Sequence, residues 1–265
     1  MAVHVEIQSG VGVLTLDRPE RAHAYDQAHI AALDQGFDEL AGSVPVVVIR
    51  STGDGAFCGG ADLRELSGLD PLAALDLASQ RLFNKIARSP VLSIAAVHGP
   101  AVAGGCELAL ACDLRVVGPR ARFTLPEVQH GLIPAAGGCT RLTRLAGPAV
   151  AKQVILFGYN LSAAELVGFG LAVAGDDPFT HATRVAERFL ATSDPLAARL
   201  AKHIIDRGED AGSLEQERVS ESLLYHRRAS RPAEAETLPV RPIPPQSGET
   251  YRDGPGNFTP PTSSD

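Results

Sequence analysis

Two short apolar, β-branched runs dominate the sequence: Pro45-Val46-Val47-Val48-Ile49 and Val91 to Val97. Each leads into a loop of glycines and other small residues, and then into a stretch of helical composition. A strand that is apolar along its whole length is buried on both faces, as in a parallel sheet covered by helices. Leu114-Arg115-Val116-Val117 reads as a further strand, so strands alternate with helices from residue 46 to about 120. That alternation predicts an α/β fold with a mostly parallel sheet and crossover helices.

The chain ahead of this region reads as a hairpin. Val3, Val5 and Ile7 alternate, Gly10-Val11-Gly12 is expected to turn, and Val13 to Leu16 returns. Asp26 is placed to cap a helix whose apolar positions are Ile30, Leu33, Phe37 and Leu40. Pro71 to Arg88 reads as a helix, and 99–105 as a loop opening into a helix near Gly104. From Gly147 onward the pattern is mainly helical, over 148–157, 162–168, 178–192, 195–207 and 213–228. Residues 230–265 hold Pro232, Pro239, Pro242, Pro244, Pro245, Pro255, Pro260 and Pro261 with few aliphatic residues. Such a segment cannot offset its ordering entropy by burial, so an extended or disordered tail is expected.

Composition narrows the function classes. A net charge of −7 argues against a nucleic-acid partner, which needs a basic face. The most apolar stretch, Val91 to Val117, is interrupted by His98, Glu107 and Asp113, so no membrane span is expected. The N-terminus lacks the basic start and apolar core of a signal peptide, which makes a cytoplasmic setting the expectation. Cys58, Cys106, Cys112 and Cys139 then read as reduced, small buried side chains, and no Cys-x-x-Cys pair or histidine cluster suggests a metal.

The chemistry-bearing candidates cluster around two loops, Phe57-Cys58-Gly59-Gly60-Ala61-Asp62-Leu63 and Gly99 to Gly105. Each follows a buried strand, where α/β sheets place ligands. Neither has the glycine spacing of a phosphate or dinucleotide cradle. Small residues instead permit backbone N–H groups to converge on a developing negative oxygen. Taken singly, any of these glycines reads as a turn or packing residue. Glu107, in the first turn of the helix after the second loop, and Glu127, after Pro126, are two carboxylates able to divide proton donation and acceptance if their surroundings differ. On spacing alone, Glu107 reads as complementing a helix dipole and Glu127 as an exposed residue.

Five ordered blocks shift those readings. They are Leu16-Asp17-Arg18-Pro19-Glu20-Arg21, Ala56 to Leu63, Ala96 to Ala109, Leu125-Pro126-Glu127-Val128 and Gly131 to Gly138. In this order the chain resembles the enoyl-CoA hydratase/isomerase family, the crotonase superfamily, over residues 3 to 225. The resemblance implies a crotonase-like spiral of ββα repeats with a C-terminal helical trimerisation region. The core would be 1–195, the C-terminal helices 196–229 and the tail 230–265. It implies an acyl-CoA substrate, no metal and no cofactor beyond the coenzyme A carried by that substrate, and assembly as a homotrimer or homohexamer.

By resemblance, the oxyanion donors are the N–H groups of Ala61 and Gly104, the catalytic pair is Glu107 and Glu127, and the Ala135 N–H positions water. Arg21, Ala22, Ala24, Gly60, Asp62, Leu63 and Arg64 would line the CoA path. Keeping both glutamates favours hydration of a trans-2-enoyl-CoA. Isomerisation, another thioester-enolate reaction, and a catalytically silent binding protein are the alternatives. His23 and Tyr25 depart from the family's usual Asn and Leu. His23 is expected to bond a nearby carbonyl, and Tyr25 to reshape the acyl or pantetheine path. The chain also lacks the family's usual C-terminal Phe and Lys segment.

Overall fold

The computed structural model describes residues 2–62, 77–208 and 213–229. The expected tail, and with it Leu63 and Arg64, lies outside those residues. The chain divides into two units, Met1–Tyr225 and His226–Asp265.

In the first unit β1 (Ala2–Gln8) pairs antiparallel with β2 (Val11–Asp17). The turn is Ser9-Gly10 and not Gly10-Val11-Gly12. Both turn residues have positive φ, 52° and 81°, as a primed two-residue turn requires. Val11 and Gly12 therefore belong to the strand and face Gln8 and Ile7.

Beyond β2 the sheet is parallel. It runs through β3 (Val46–Ser51), β4 (Leu92–Val97), β6 (Leu114–Val117) and β9 (Val173–Ala174). A smaller sheet joins β5 (Pro100–Val102), β7 (Arg122–Thr124) and β8 (Leu161–Ser162). The stretch read as one loop, 99–105, thus contains β5. Its small side chains let it lie against the chain at Cys58, to which Ala101 forms a parallel bridge.

Helices cover both faces of the large sheet. On one side lie α1 (Gln27–Ala41), α2 (Ala78–Arg88), α3 (Gly104–Ala111) and α4 (Gly138–Phe157), around Leu14, Leu33, Phe37, Ile49, Phe83 and Leu108. Asp26 caps α1 by accepting from the His29 N–H, and the apolar stripe from Ile30 to Leu40 is buried. Leu77 is extended (φ −67°, ψ 116°), so the helix predicted from Pro71 does not run through it. The helix begins at Ala78, and 71–76 lie outside the described residues. The other face packs Val11, Val48, Ile94 and Val116 against Ala182 and Ala186 of α6 (Pro178–Thr192), which follows α5 (Ala163–Gly168). α4 carries a non-helical, positive-φ residue, Gly147 (φ 80°, ψ 162°), just before Pro148. The sequence pattern shows only the segment after this break. The segment before it, from Gly138, went unread because glycines at its start look like loop.

α7 (Pro195–Arg207) and α8 (Ser213–Ala229) follow. α7 is tied down by an ion pair between buried Lys202 and the more exposed Asp113. Lys202, 8% exposed, donates to both Asp113 oxygens at 2.6 and 2.7 Å, and Asp113 also accepts from the Ser93 N–H and hydroxyl. Removing one member strands the other's charge, but Asp113 retains Ser93 and some solvent contact. Lys202→Met is expected to lower stability by about 1–3 kcal/mol in chemical denaturation, with an unchanged denaturant slope.

Candidate active site

Two single-residue bridges draw three distant segments together at the ends of β3 and β4. Cys58 bridges Ala101, with Phe57 N donating to Pro100 O at 2.8 Å and Val102 N to Cys58 O at 2.9 Å. Tyr25 bridges Ala61, with Tyr25 N donating to Gly60 O and Asp62 N to Tyr25 O, both 2.8 Å. In such a parallel bridge the hydrogen bonds run through the residues on either side of Ala61, so Ala61's own N–H faces away from Tyr25.

Gly104 opens α3, and a first-turn N–H has no partner inside its helix. Ala103, at φ 50° and ψ −124°, turns the chain sharply into it and is pinned by its N–H to Thr124 O at 2.8 Å. A non-glycine residue held there costs on the order of 1–3 kcal/mol. The loops touch at Gly60 (φ 89°), where a Cβ would come within 3.0 Å of Gly104 N and 2.9 Å of Val102 O. A Cβ on Gly105 would overlap the Cys58 carbonyl. These glycines serve close approach as well as turning. Among the described residues, neither Ala61 N nor Gly104 N donates to a backbone oxygen outside regular elements.

The two carboxylates sit beside this junction in unlike surroundings. Glu107, one turn into α3 and 3% exposed, accepts from Gly138 N at 2.8 Å. Burial raises its pKa. The N–H groups of Gly138 and Ala136 and the charge of Arg141 oppose that rise. Gly138 begins α4, so the helix end favours the ionised form. Glu127 starts a short 3-10 helix, Glu127–His130. Its Oε2 is buried and lacks a hydrogen-bond partner in the described structure. Burial, opposed by its own backbone N–H and reinforced by the charge of Glu107, pushes its pKa to about 7. The readings of Glu107 as a simple dipole complement and Glu127 as exposed are therefore replaced. One is buried on N–H donors, and the other is half-buried with a free oxygen.

Ala135 lies in the turn that precedes Gly138, and its carbonyl accepts from Gln80 of α2 at 2.5 Å. Ala22 and Ala24 flank His23 beside the first loop, where Gly59 N donates to Ala22 O at 2.8 Å. Arg21 ends a short 3-10 turn and is exposed. Asp62 faces Arg18 at 3.5 Å, and Arg18 also donates to Ala24 O at 2.8 Å, so Asp62 helps hold this rim together. The structure thus gathers Arg21, Ala22, Ala24, Gly60 and Asp62 along one edge of the junction.

His23 contacts the Thr52 carbonyl through Nε2 at 3.1 Å, while its Nδ1 accepts from Arg18 N at 3.0 Å. That assigns the proton to Nε2 and gives His23 the turn-holding role expected of it. Burial raises the thiol pKa of Cys58 and Cys112 to about 12 and that of Cys106 well above its ordinary value, so these three are inert neutral side chains.

Sequence reasoning missed Gly138, Arg141 and Arg18. Arg141 donates to Ala136 O at 2.7 Å and so fixes the turn that holds Glu107. The Gly137-Gly138 pair just ahead of an apolar helix was the available signal. Among the described residues no group of three or more His, Cys, Asp or Glu is placed to hold a metal. No described helix is long and apolar enough to cross a membrane.

Known proteins share this arrangement of chain. The short-chain-enoyl-CoA hydratase of Clostridium acetobutylicum is 32% identical over 213 residues, covering 78% of this chain and 81% of that protein. The human enoyl-CoA hydratase domain-containing protein 2 is 39% identical over 213 residues, covering 76% and 72%. A Geobacillus kaustophilus enoyl-CoA hydratase subunit superposes with a TM-score of 0.78 at 31% identity, covering 85% and 90%. A Thermobifida fusca structure in complex with CoA gives 0.77 at 28% identity, covering 86% and 95%. The family model for enoyl-CoA hydratase/isomerase matches residues 6–236. The bridged loops are therefore part of a crotonase fold, and the chain belongs to the enoyl-CoA hydratase/isomerase family.

Proposed function

We propose that the protein catalyses reversible syn addition of water across the 2,3 double bond of a trans-2-enoyl thioester of coenzyme A. One observation carries this reading. A buried carboxylate held by a helix-start N–H and a half-buried one with an unpartnered oxygen stand next to a junction where, among the described residues, the Ala61 and Gly104 N–H groups donate to no backbone oxygen outside regular elements.

The thioester oxygen accepts from Ala61 and Gly104, and negative charge grows there as the enolate forms. Glu107, whose ionised form the Gly138 and Ala136 N–H groups favour against the effect of burial, takes a proton from water as the oxygen bonds to Cβ. Glu127, able to hold a proton near neutrality, gives one to Cα. Atoms balance. Water's hydroxyl ends on Cβ, a proton ends on Cα, and the proton gained by Glu107 returns the pair to its starting state through exchange. The Ala135 N–H is assigned to the attacking water. The edge formed by Arg21, Ala22, Ala24, Gly60 and Asp62, continued by Leu63 and Arg64, is assigned to the CoA moiety. Exposed Ile205 on α7 and Leu214, Val219 and Leu223 on α8 supply apolar surface for self-association into a trimer or hexamer. No cofactor beyond the substrate's own coenzyme A enters this scheme.

Crotonyl-CoA and a 3-enoyl-CoA assayed side by side test the reading. Hydration removes the conjugated absorbance of crotonyl-CoA, whereas isomerisation creates it from the 3-enoyl thioester. Loss of absorbance with crotonyl-CoA is the expected result. Activity confined to the 3-enoyl substrate would assign the protein to isomerisation, and inactivity towards both would leave a binding protein.

A further inference from the structure

Tyr25 is delivered by the Ala22–Ala24 turn into the space between the two donor loops. Its main chain is bonded to Gly60 and Asp62, and the residue is 6% exposed. The ring packs edge-on to Phe83, with centroids 6.0 Å apart and planes at 87°. The hydroxyl ends against Gly104, where a Cβ would overlap Oη and crowd Cζ.

Direction matters here. Helix Cα–Cβ bonds tilt toward the N-terminus, and the first-turn N–H groups point the same way. An oxygen occupying the space of an absent Gly104 Cβ therefore stands beside the Gly104 N–H, at the end of α3 that favours negative charge. Packing alone does not call for a hydroxyl in this place. A bare ring would fill the volume without a polar atom to satisfy. Ser79 of α2 hydrogen-bonds the phenol oxygen. Burial, followed by the neighbouring Cys58 and Glu107, raises the phenol pKa well above its ordinary value, so it stays a neutral donor.

We propose that the Tyr25 hydroxyl is a third hydrogen-bond donor to the thioester oxygen, beside the Ala61 and Gly104 amides, and that its bond strengthens as the enolate forms. This rests on the thioester-enolate reading above.

The test is Tyr25→Phe, which keeps the ring. Crotonyl-CoA hydration is expected to fall roughly 10- to 100-fold in kcat, with KM changed less than about twofold. Acetoacetyl-CoA, whose enolate mimics the intermediate, is expected to bind at least ~10-fold more weakly, while butyryl-CoA binds as before. An unchanged kcat with an unchanged acetoacetyl-CoA to butyryl-CoA affinity ratio overturns the proposal. Equal weakening of both ligands also overturns it, because the hydroxyl would then only shape the pocket. If Tyr25→Phe does not fold, Ser79→Ala loosens the phenol without removing it. A smaller shift of the same ratio supports the proposal, and none overturns it. Wild-type protein inactive on crotonyl-CoA would defeat the hydration reading, whereas the affinity ratio reads the hydroxyl without turnover.

Discussion

Replacing Glu127 by Gln is expected to reduce crotonyl-CoA hydration by about 10²- to 10⁴-fold while making the protein more stable at pH 8. The first effect is the loss of a positioned proton donor. The second follows from where the carboxyl sits. The group titrates near 4.5 when unfolded and near 7 in the folded chain, because burial disfavours its charge. A pKa raised on folding contributes stability that is complete below pH 4.5 and is lost as pH rises through 7. At pH 8 the wild type therefore holds an ionised carboxylate in a site that disfavours it. Gln removes that charge for a gain of no more than about 3 kcal/mol. Thermal melts of both proteins at pH 5 and pH 8 read the effect, which should be small at the lower pH. The hydration rate of the wild type is expected to fall above about pH 7 as the donor is lost. A stability gain accompanied by full activity would remove Glu127 from the chemistry.

Gly105→Ala is the second large effect expected. Its Cβ would overlap the Cys58 carbonyl, and the atoms in the way are backbone, so no rotamer change relieves the contact. The two loops must then separate. Cys58 bridges Ala101 and lies three residues before Ala61, so the same displacement shifts both proposed donors. Overpacking of this kind costs about 1–3 kcal/mol or more, and misplacing both donors is worth at least as much as losing one, on the order of 10²–10³ in kcat. Denaturation and steady-state assay of one preparation should show both losses together. A fully active Gly105→Ala would mean that the loops are not so closely locked.

The fold was readable where periodicity and burial agree. The runs at 46–49 and 92–97 are apolar on both faces, and that pattern has few structural meanings. The helix at 138–146 was not readable because its start is glycine, which local propensity assigns to a turn. Only tertiary packing against Glu107 and Pro134 makes glycine the residue that fits at 138. β5 was hidden for a similar reason, since its pairing partners lie distant in sequence. The carboxylates were visible as residue types. Their differing surroundings were not, because these depend on which amides each one meets: Gly138 for Glu107, and none for Glu127 Oε2. Tyr25 stood out in the sequence only as an unusual residue. Its place against Gly104 is a product of the bridge to Ala61.

Every residue of α3 is buried. The element that presents Gly104 and Glu107 is thus also an interior beam of the molecule, with no outward face on which variation is harmless. If the proposed reaction holds, diversification toward other acyl groups has to be sought around its rim, in the turn before Tyr25, the start of α2 and the residues between Glu127 and Ala135. On the proposed mechanism, that division of labour ties the reaction type to the interior and leaves substrate choice to the periphery.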